Sequence, residues 1–351
     1  MVGKNIGIIT FHRADNLGAV LQTYALQRTI EKSIGASVEV IDYECQAFNN
    51  TKHTKKHKTV KDCIKFLPMH VYYCIKHRGF EKFRDKKLRL SQKRYNKDNL
   101  VNLAKAYDII ITGSDQVWNL RCSANDMTYF LDFVSSDKKK ISYAASVGEY
   151  RYTDEEAKMV GETLKRFDGI SVREESAVRQ LESIGVNGAV VVPDPVILLS
   201  DKEWKGIMKK RLCRQKYILV YLIADDVNVT KNATEYARLH NCKIINNKKS
   251  IEFIMHNSPE EFLSWIFYAE CVFTNSFHGT AFSLIFNKPL CADVELKGTG
   301  INGRVKELLL RAGAKQCILD KHNLQVCAPE AKEALEKMKE TAMTYLKNNC
   351  Q

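Results

Sequence analysis

Short apolar runs alternate with helix-patterned stretches along almost the whole chain, and the alternation starts over once. Residues 4–10 are an apolar run, followed by a helical pattern over 19–34 that Gly35 closes. Strand patterns recur at 38–43, 107–112, 140–145, 169–172 and 189–192, with helical patterns at 154–166 and 174–184. Pro193-Asp194-Pro195 then punctuates the chain. The rhythm resumes with strands at 217–223, 243–245, 271–274 and 289–292, and helices at 229–240, 259–268, 279–286 and 303–312. Residues 329–348, rich in Ala, Glu, Lys and Met, read as a surface helix. Such alternation predicts parallel sheets covered by helices, an α/β fold, and the restart predicts two of them. The length of 351 residues fits two domains at about 150 residues each. The expected boundaries are 1–195, 196–327 and a terminal helix over 328–351.

The net charge of +13 is concentrated. Residues 51–100 hold 16 Lys/Arg against four acids, which leaves the rest of the chain close to neutral. This basic insertion in the first domain mixes apolar and basic residues at helical spacing over 60–90. Ile64, Leu67, Val71, Ile75 and Phe83 form an apolar stripe, with Pro68 expected to kink or interrupt it. Its readings are a surface for anionic lipid or a pyrophosphate-linked substrate, a nucleic-acid surface, or a solvated helix packed on the domain. No nucleic-acid motif accompanies it, so lipid or phosphate ranks above nucleic acid. No apolar run approaches the ~18 residues of a membrane helix. The chain enters a strand at once, without a signal-peptide pattern. The eleven cysteines have no metal-like spacing. The expectation is a cytoplasmic protein with reduced thiols and no metal site.

In parallel α/β folds ligands bind beyond the carboxyl ends of the strands, at the turns into helices. The most informative turn is Thr274-Asn275-Ser276-Phe277-His278-Gly279-Thr280. Its small polar residues suit a helix cap and an anion, Gly279 a close ligand approach, and His278 proton transfer near neutral pH. Ser276 or Asn275 as a mere cap and His278 as a core histidine is the plain alternative. The second turn is Thr112-Gly113-Ser114-Asp115-Gln116-Val117-Trp118-Asn119. There polar side chains could read sugar hydroxyls and the Trp118 face a sugar ring, or Trp118 could anchor the turn in the core. Arg173 ends a strand, where it could clamp a carboxylate or phosphate, or merely pair with Glu174. Residues 297–304, glycine-rich and basic, could fold over a phosphate or connect elements. No dinucleotide fingerprint, Walker motif, GxSxG elbow or HExxH is present.

These residues together resemble the polysaccharide pyruvyl transferase family. The resemblance rests on Gly7-Ile8-Ile9-Thr10 through Asn16-Leu17-Gly18-Ala19 to Gln22-Thr23-Tyr24-Ala25-Leu26, and on Gly113 through Asn119. Val172-Arg173-Glu174 with Ser176, Asp194-Pro195, Thr274 through Thr280 to Asn287-Lys288-Pro289, and Asn302-Gly303-Arg304 extend it. It implies two Rossmann-like domains facing across a cleft, GT-B-like, and transfer of a pyruvyl group from phosphoenolpyruvate to two hydroxyls of one sugar as a cyclic ketal. The acceptor would belong to a surface polysaccharide, such as an exopolysaccharide or capsule, or to its lipid-linked oligosaccharide precursor. Phosphoenolpyruvate would be a co-substrate, and no cofactor or metal is needed. On this resemblance His278 is the catalytic histidine and Arg173 joins the catalytic set; Asp115 is the residue expected to steer or deprotonate the acceptor hydroxyl. Asn275, Ser276, Gly279, Thr280 and Arg304 would bind the donor, and Asn16, Ser114, Gln116 and Trp118 the acceptor. Some members carry an arginine two positions before the histidine; Ser276 stands there here, which passes the donor carboxylate to Arg173 or Arg304. The basic insertion would touch an anionic membrane peripherally at its inner face, and no nucleic-acid partner is expected. A GT-B-type glycosyltransferase using a nucleotide sugar is the alternative.

Overall fold

The computed structural model describes residues 4–49, 60–100, 103–295, 303–319 and 326–351. The chain divides into two compact units, Met1–His70 with Glu81–Leu198 and Lys339–Gln351, and Val71–Phe80 with Leu199–Met338. The first begins with β1 (Asn5–Ile9), α1 (Leu17–Ile34), β2 (Ser37–Val40) and α2 (Gln46–Asn49). Next come α3 (Val60–Lys87), β3 (Ile109–Thr112), α4 (Leu120–Ser123), β4 (Lys139–Ser142), α5 (Asp154–Leu164), β5 (Ser171–Val172), α6 (Glu175–Ser183) and β6 (Val190–Val191). The sheet runs β2-β1-β3-β4, all parallel, and the β5-β6 pair extends it through bridges from Ile141 to Gly169 and from Ala145 to Val172.

The second unit holds α7 (Asp201–Lys205), β7 (Tyr217–Tyr221), α8 (Val227–Leu239), β8 (Lys243–Asn246), α9 (Ile251–Met255), α10 (Pro259–Phe267), β9 (Cys271–Thr274), α11 (Phe277–Ile285), β10 (Leu290–Ala292) and α12 (Gly303–Arg311). Its parallel sheet has the order β10-β9-β7-β8, the same topology as the first sheet. Each sheet therefore has a topological switch point, between β1 and β3 in the first and between β7 and β9 in the second. At such a point the helices leave to opposite faces and the strand ends open a crevice.

Local chemistry explains the element ends. Asn16 caps α1 by accepting from the Gly18 and Ala19 amides, and Gly35 ends it at φ 69°, which favours glycine. Reciprocal capping boxes start α5 (Thr153 with Glu156) and α10 (Ser258 with Glu261), and Pro259 is set for the first turn of α10.

Two expectations change. Helix α3 is not interrupted at Pro68, nor at Arg78-Gly79, where the apolar spacing suggests a break. Its described anchors are Phe80, Phe83 and Arg84, all buried, while Val71 of the expected stripe is 47% exposed; Ile64 and Leu67 lie outside the described side chains. The last helix, α13 (Lys332–Cys350), is not confined to the surface. Ala342, Tyr345, Leu346 and Cys350 are buried with Ile6, Ile8, Ile109 and Ile141 of the first sheet, and the Tyr345 hydroxyl donates to the Ser142 carbonyl at 2.8 Å. Its apolar residues recur on one face among many charges, and that face covers the sheet. Among the described residues, no helix is long and apolar enough to cross a membrane.

Candidate functional site

In the second unit the turn after β9 lies at the switch point. The Thr274 hydroxyl donates to the Tyr221 carbonyl at 2.5 Å and accepts from the Ser276 amide at 3.0 Å, tying β9 to β7. The Asn275 side chain accepts from the Ile223 amide at 2.9 Å and donates to the Ala224 carbonyl at 3.0 Å, clamping the turn to the chain that leaves β7. Ser276 caps α11 by accepting from the Gly279 amide at 3.2 Å. A Cβ on Gly279 would stand 2.6 Å from Thr274 Oγ1 and 3.2 Å from the Tyr221 ring. The Asn275 side chain and the Ser276 hydroxyl oxygen are thus engaged within the protein, and the missing Cβ of Gly279 makes room for Thr274.

Of the residues from Thr274 to Thr280, all are buried except His278, which is partly exposed and packs edge-on against Phe277. The Thr280 hydroxyl is buried without a hydrogen-bond partner among the described residues. Arg304, second residue of α12, is half-buried in the same unit. Residues 297–302 of the glycine-rich loop lie outside the described residues. Nearby on the carboxyl edge, Asp293 follows β10 and accepts from the Glu295 amide at 2.7 Å. Burial, with help from Asp226 and Glu295, pushes its carboxyl up to about 6, although the Glu295 amide pulls the other way.

In the first unit the structure gathers Asp115 and Arg173 but gives Arg173 a different task. Its guanidinium is 2.8 Å from Asp194, 3.5 Å from Glu174 and 3.8 Å from Asp115, with the side chain only 2% exposed. Burial alone would lower its pKa, and the three carboxylates raise it instead. A cation so enclosed neutralises the protein's own carboxylates, which removes the basis for assigning it the donor carboxylate. Glu174 in turn accepts from the Ser146 hydroxyl at 2.6 Å and the Gly148 amide at 3.3 Å. Asp115 sits at φ 74°, where Asp is among the few tolerated side chains, and its carboxylate is 15% exposed.

The expected acceptor residues fare unequally. Trp118 is fully buried, stacked on Phe130, with its indole N–H donating to the Tyr129 carbonyl at 3.2 Å. It anchors the core and offers no face to a sugar. Ser114 is also fully buried, its hydroxyl donating to the Ala144 carbonyl, and the Gln22–Thr10–Ser114 hydrogen bonds lock the two turns of the first switch point together. Gln116 is partly exposed and accepts from the Asn119 amide group at 3.0 Å, and Asn16 is exposed as the cap of α1.

A sequence model of the polysaccharide pyruvyl transferase family matches residues 16–292. The chain belongs to the polysaccharide pyruvyl transferase family. The match takes in every candidate residue above except Arg304. No curated protein matches the chain. Among solved structures, it is similar to a Listeria monocytogenes protein assigned as UDP-N-acetylglucosamine 2-epimerase, with 13% identity over 99% of this chain and 91% of that one and a TM-score of 0.50. It is also similar to the UDP-GlcNAc 2-epimerase from Methanocaldococcus jannaschii, at 15% identity over 97% and 92% with a TM-score of 0.48. The ADP-heptose heptosyltransferase II from E. coli aligns at 9% identity over 99% and 98% with a TM-score of 0.36. At 13% identity the likeness to the Listeria monocytogenes protein concerns the fold, which is α/β with parallel sheets and GT-B-like.

This pyruvyl transferase family member holds one further polar cluster, whose parts lie far apart in the sequence. His12 is fully buried beyond β1, with Nδ1 3.2 Å from the Thr10 carbonyl and Nε2 3.1 Å from Asp42 Oδ1. Arg13 donates twice to Asp42, each at 2.6 Å, and Arg84 pairs with Asp15 at 2.9 Å and Glu81 at 2.8 Å. Burial would raise the Asp42 carboxyl, but His12 and Arg13 hold it well below the usual carboxylate range; burial lowers the His12 pKa. The available signal was positional. His12-Arg13 and Asp42 each sit just past a strand, and β1 and β2 are parallel neighbours in register.

Proposed function

We propose that the protein moves a pyruvyl group from phosphoenolpyruvate to a sugar of a surface polysaccharide or of its lipid-linked precursor. The observation that carries this reading is His278, the one partly exposed residue in a buried turn at the second switch point. Protonated His278 gives its proton to the methylene carbon of phosphoenolpyruvate, which becomes a methyl group. The central carbon then takes a sugar hydroxyl, which loses its proton, and the bond to the phosphate oxygen breaks. A second hydroxyl closes the ketal at the same carbon; one hydroxyl proton returns to the histidine and the other leaves with phosphate. Arg304, in the same unit, takes the donor carboxylate in place of Arg173, and the Thr280 hydroxyl and the positive end of α11 face the donor phosphate. Asp115 steers the acceptor hydroxyl.

The first test is thermal stabilisation by phosphoenolpyruvate against a panel of nucleotide sugars, with wild type, His278→Ala and Arg304→Ala. A rise in Tm with phosphoenolpyruvate alone, lost in Arg304→Ala, supports the reading. Stabilisation by a nucleotide sugar instead moves it to glycosyl transfer. With a sugar acceptor in hand, His278→Ala should lower phosphate release about 10²-fold or more; near-full turnover would remove the acid assignment.

A further inference from the structure

A cleft of about 340 Å³ opens in the first unit between the second half of α1 and the end of α3. Arg28, Lys86, Lys87 and Arg89 line it, with Glu31 as its one acid. Arg28 is 3.6 Å from Glu31, and Arg89 is 3.6 Å from Glu39. Among the described residues, neither Lys86 nor Lys87 is paired with a carboxylate. Gln27 forms the floor. Its amide group donates to the Val38 and Arg89 carbonyls and its carbonyl accepts from the Arg89 amide, which fixes the residue 88–90 segment against α1. The cations therefore converge from two segments over a buried polar side chain. Cations at the end of α3 are favoured by its dipole. That accounts for Lys86 and Lys87 but not for Arg28 and Arg89, which meet them from elsewhere.

We propose that this cleft binds a phosphate-bearing group. Its excess of cations within one small volume suits a di-anionic phosphate or a pyrophosphate better than a single carboxylate. It lies beside β2, where Gln27 meets Val38, and not at the carboxyl edge that holds the candidate site. The ligand is thus separate from the donor, and the inference goes beyond the pyruvyl-transfer reading and does not depend on it. Two sources share this chemistry: a soluble phosphate compound, and the headgroups of an anionic bilayer meeting the basic segment.

The test uses the full chain and needs no turnover. Inorganic pyrophosphate is titrated calorimetrically at low salt, and vesicles of phosphatidylglycerol or of phosphatidylcholine are assayed by co-sedimentation. Lys86→Gln/Lys87→Gln is compared with Lys93→Gln/Lys105→Gln, which removes the same charge at exposed positions outside the cleft. Lys86→Arg/Lys87→Arg keeps the charge in place, and circular dichroism checks folding of each variant. The expected result is binding weakened about tenfold by the cleft pair, less than about twofold by the control pair, and kept by the arginine pair. Pyrophosphate binding with that pattern identifies a soluble source. The same pattern with phosphatidylglycerol vesicles alone identifies the bilayer. Equal losses in the cleft and control pairs, or no binding of either probe, overturn the proposal.

Discussion

Asp293→Asn should stabilise the second unit at neutral pH. The carboxyl of Asp293 is pushed from 3.8 to about 6, chiefly by burial. That rise favours the protonated folded form by on the order of 3 kcal/mol. The sign follows from proton binding. Between about pH 4 and pH 6 the folded chain holds this proton more tightly than the unfolded one, so stability falls as pH rises through that window and the loss is complete above it. Asparagine is neutral throughout. Its oxygen can keep accepting from the Glu295 amide, and its new N–H donors can take over the contact that protonated Asp293 makes with the Asp226 carboxylate. At pH 7.5 the variant should gain up to about 3 kcal/mol, seen as a Tm rise of about 5–10 °C for a unit of this size. At pH 4 the two proteins should differ by less than about 1 kcal/mol. Urea and thermal unfolding at several pH values measure this, followed by the fluorescence of Trp204 and Trp265, both fully buried in the second unit, in a Trp118→Phe background. A difference between wild type and variant that does not change with pH, or a wild type more stable at pH 7.5, would refute the argument.

Arg173→Ala should destabilise the first unit by about 3–5 kcal/mol, because it leaves Asp115, Glu174 and Asp194 facing one another without a cation; urea unfolding measures it, and a loss under 1 kcal/mol would return Arg173 to the pool of ligand-binding residues. Trp118→Ala should cost about 3–5 kcal/mol of stability, as a core truncation does, whereas a sugar platform would lose acceptor affinity at unchanged Tm. Gly279→Ala should cost about 2 kcal/mol, since its Cβ meets a Thr274 hydroxyl already held by two hydrogen bonds, and Thr274→Ala in the same chain should recover part of that loss in a double-mutant cycle.

What could be read in the sequence follows from how far each signal reaches. Strand and helix order was legible because burial repeats every two or 3.6 residues, a local signal. The turn from Thr274 to Thr280 was legible as a place for the same reason: it joins a buried strand to a helix. Its internal wiring was not. A polar residue at a strand end can face a ligand or can lock the next strand's exit, and only the pairing of β9 with β7 decides that Asn275 reaches Ile223 and Ala224. Arg173 poses the same problem with charge. One of its carboxylates is adjacent in sequence, but Asp115 and Asp194 come from distant turns, so the sequence displays a cation and hides its neutralisation. His12 and Asp42 are the converse case, two ordinary polar residues that become a buried ion cluster once β1 and β2 lie in register. These first-unit turns at the strand exits carry their charge in compensated clusters, Arg173 with its three carboxylates and Asp42 with His12 and Arg13. His278, partly exposed in a turn whose other polar groups are mostly bound within the protein, has the opposite character: an imidazole at the edge of a hydrogen-bonded turn. That contrast ranks His278 above Arg173 as the residue to alter first when chemistry is in question, and Arg173 above His278 when folding is.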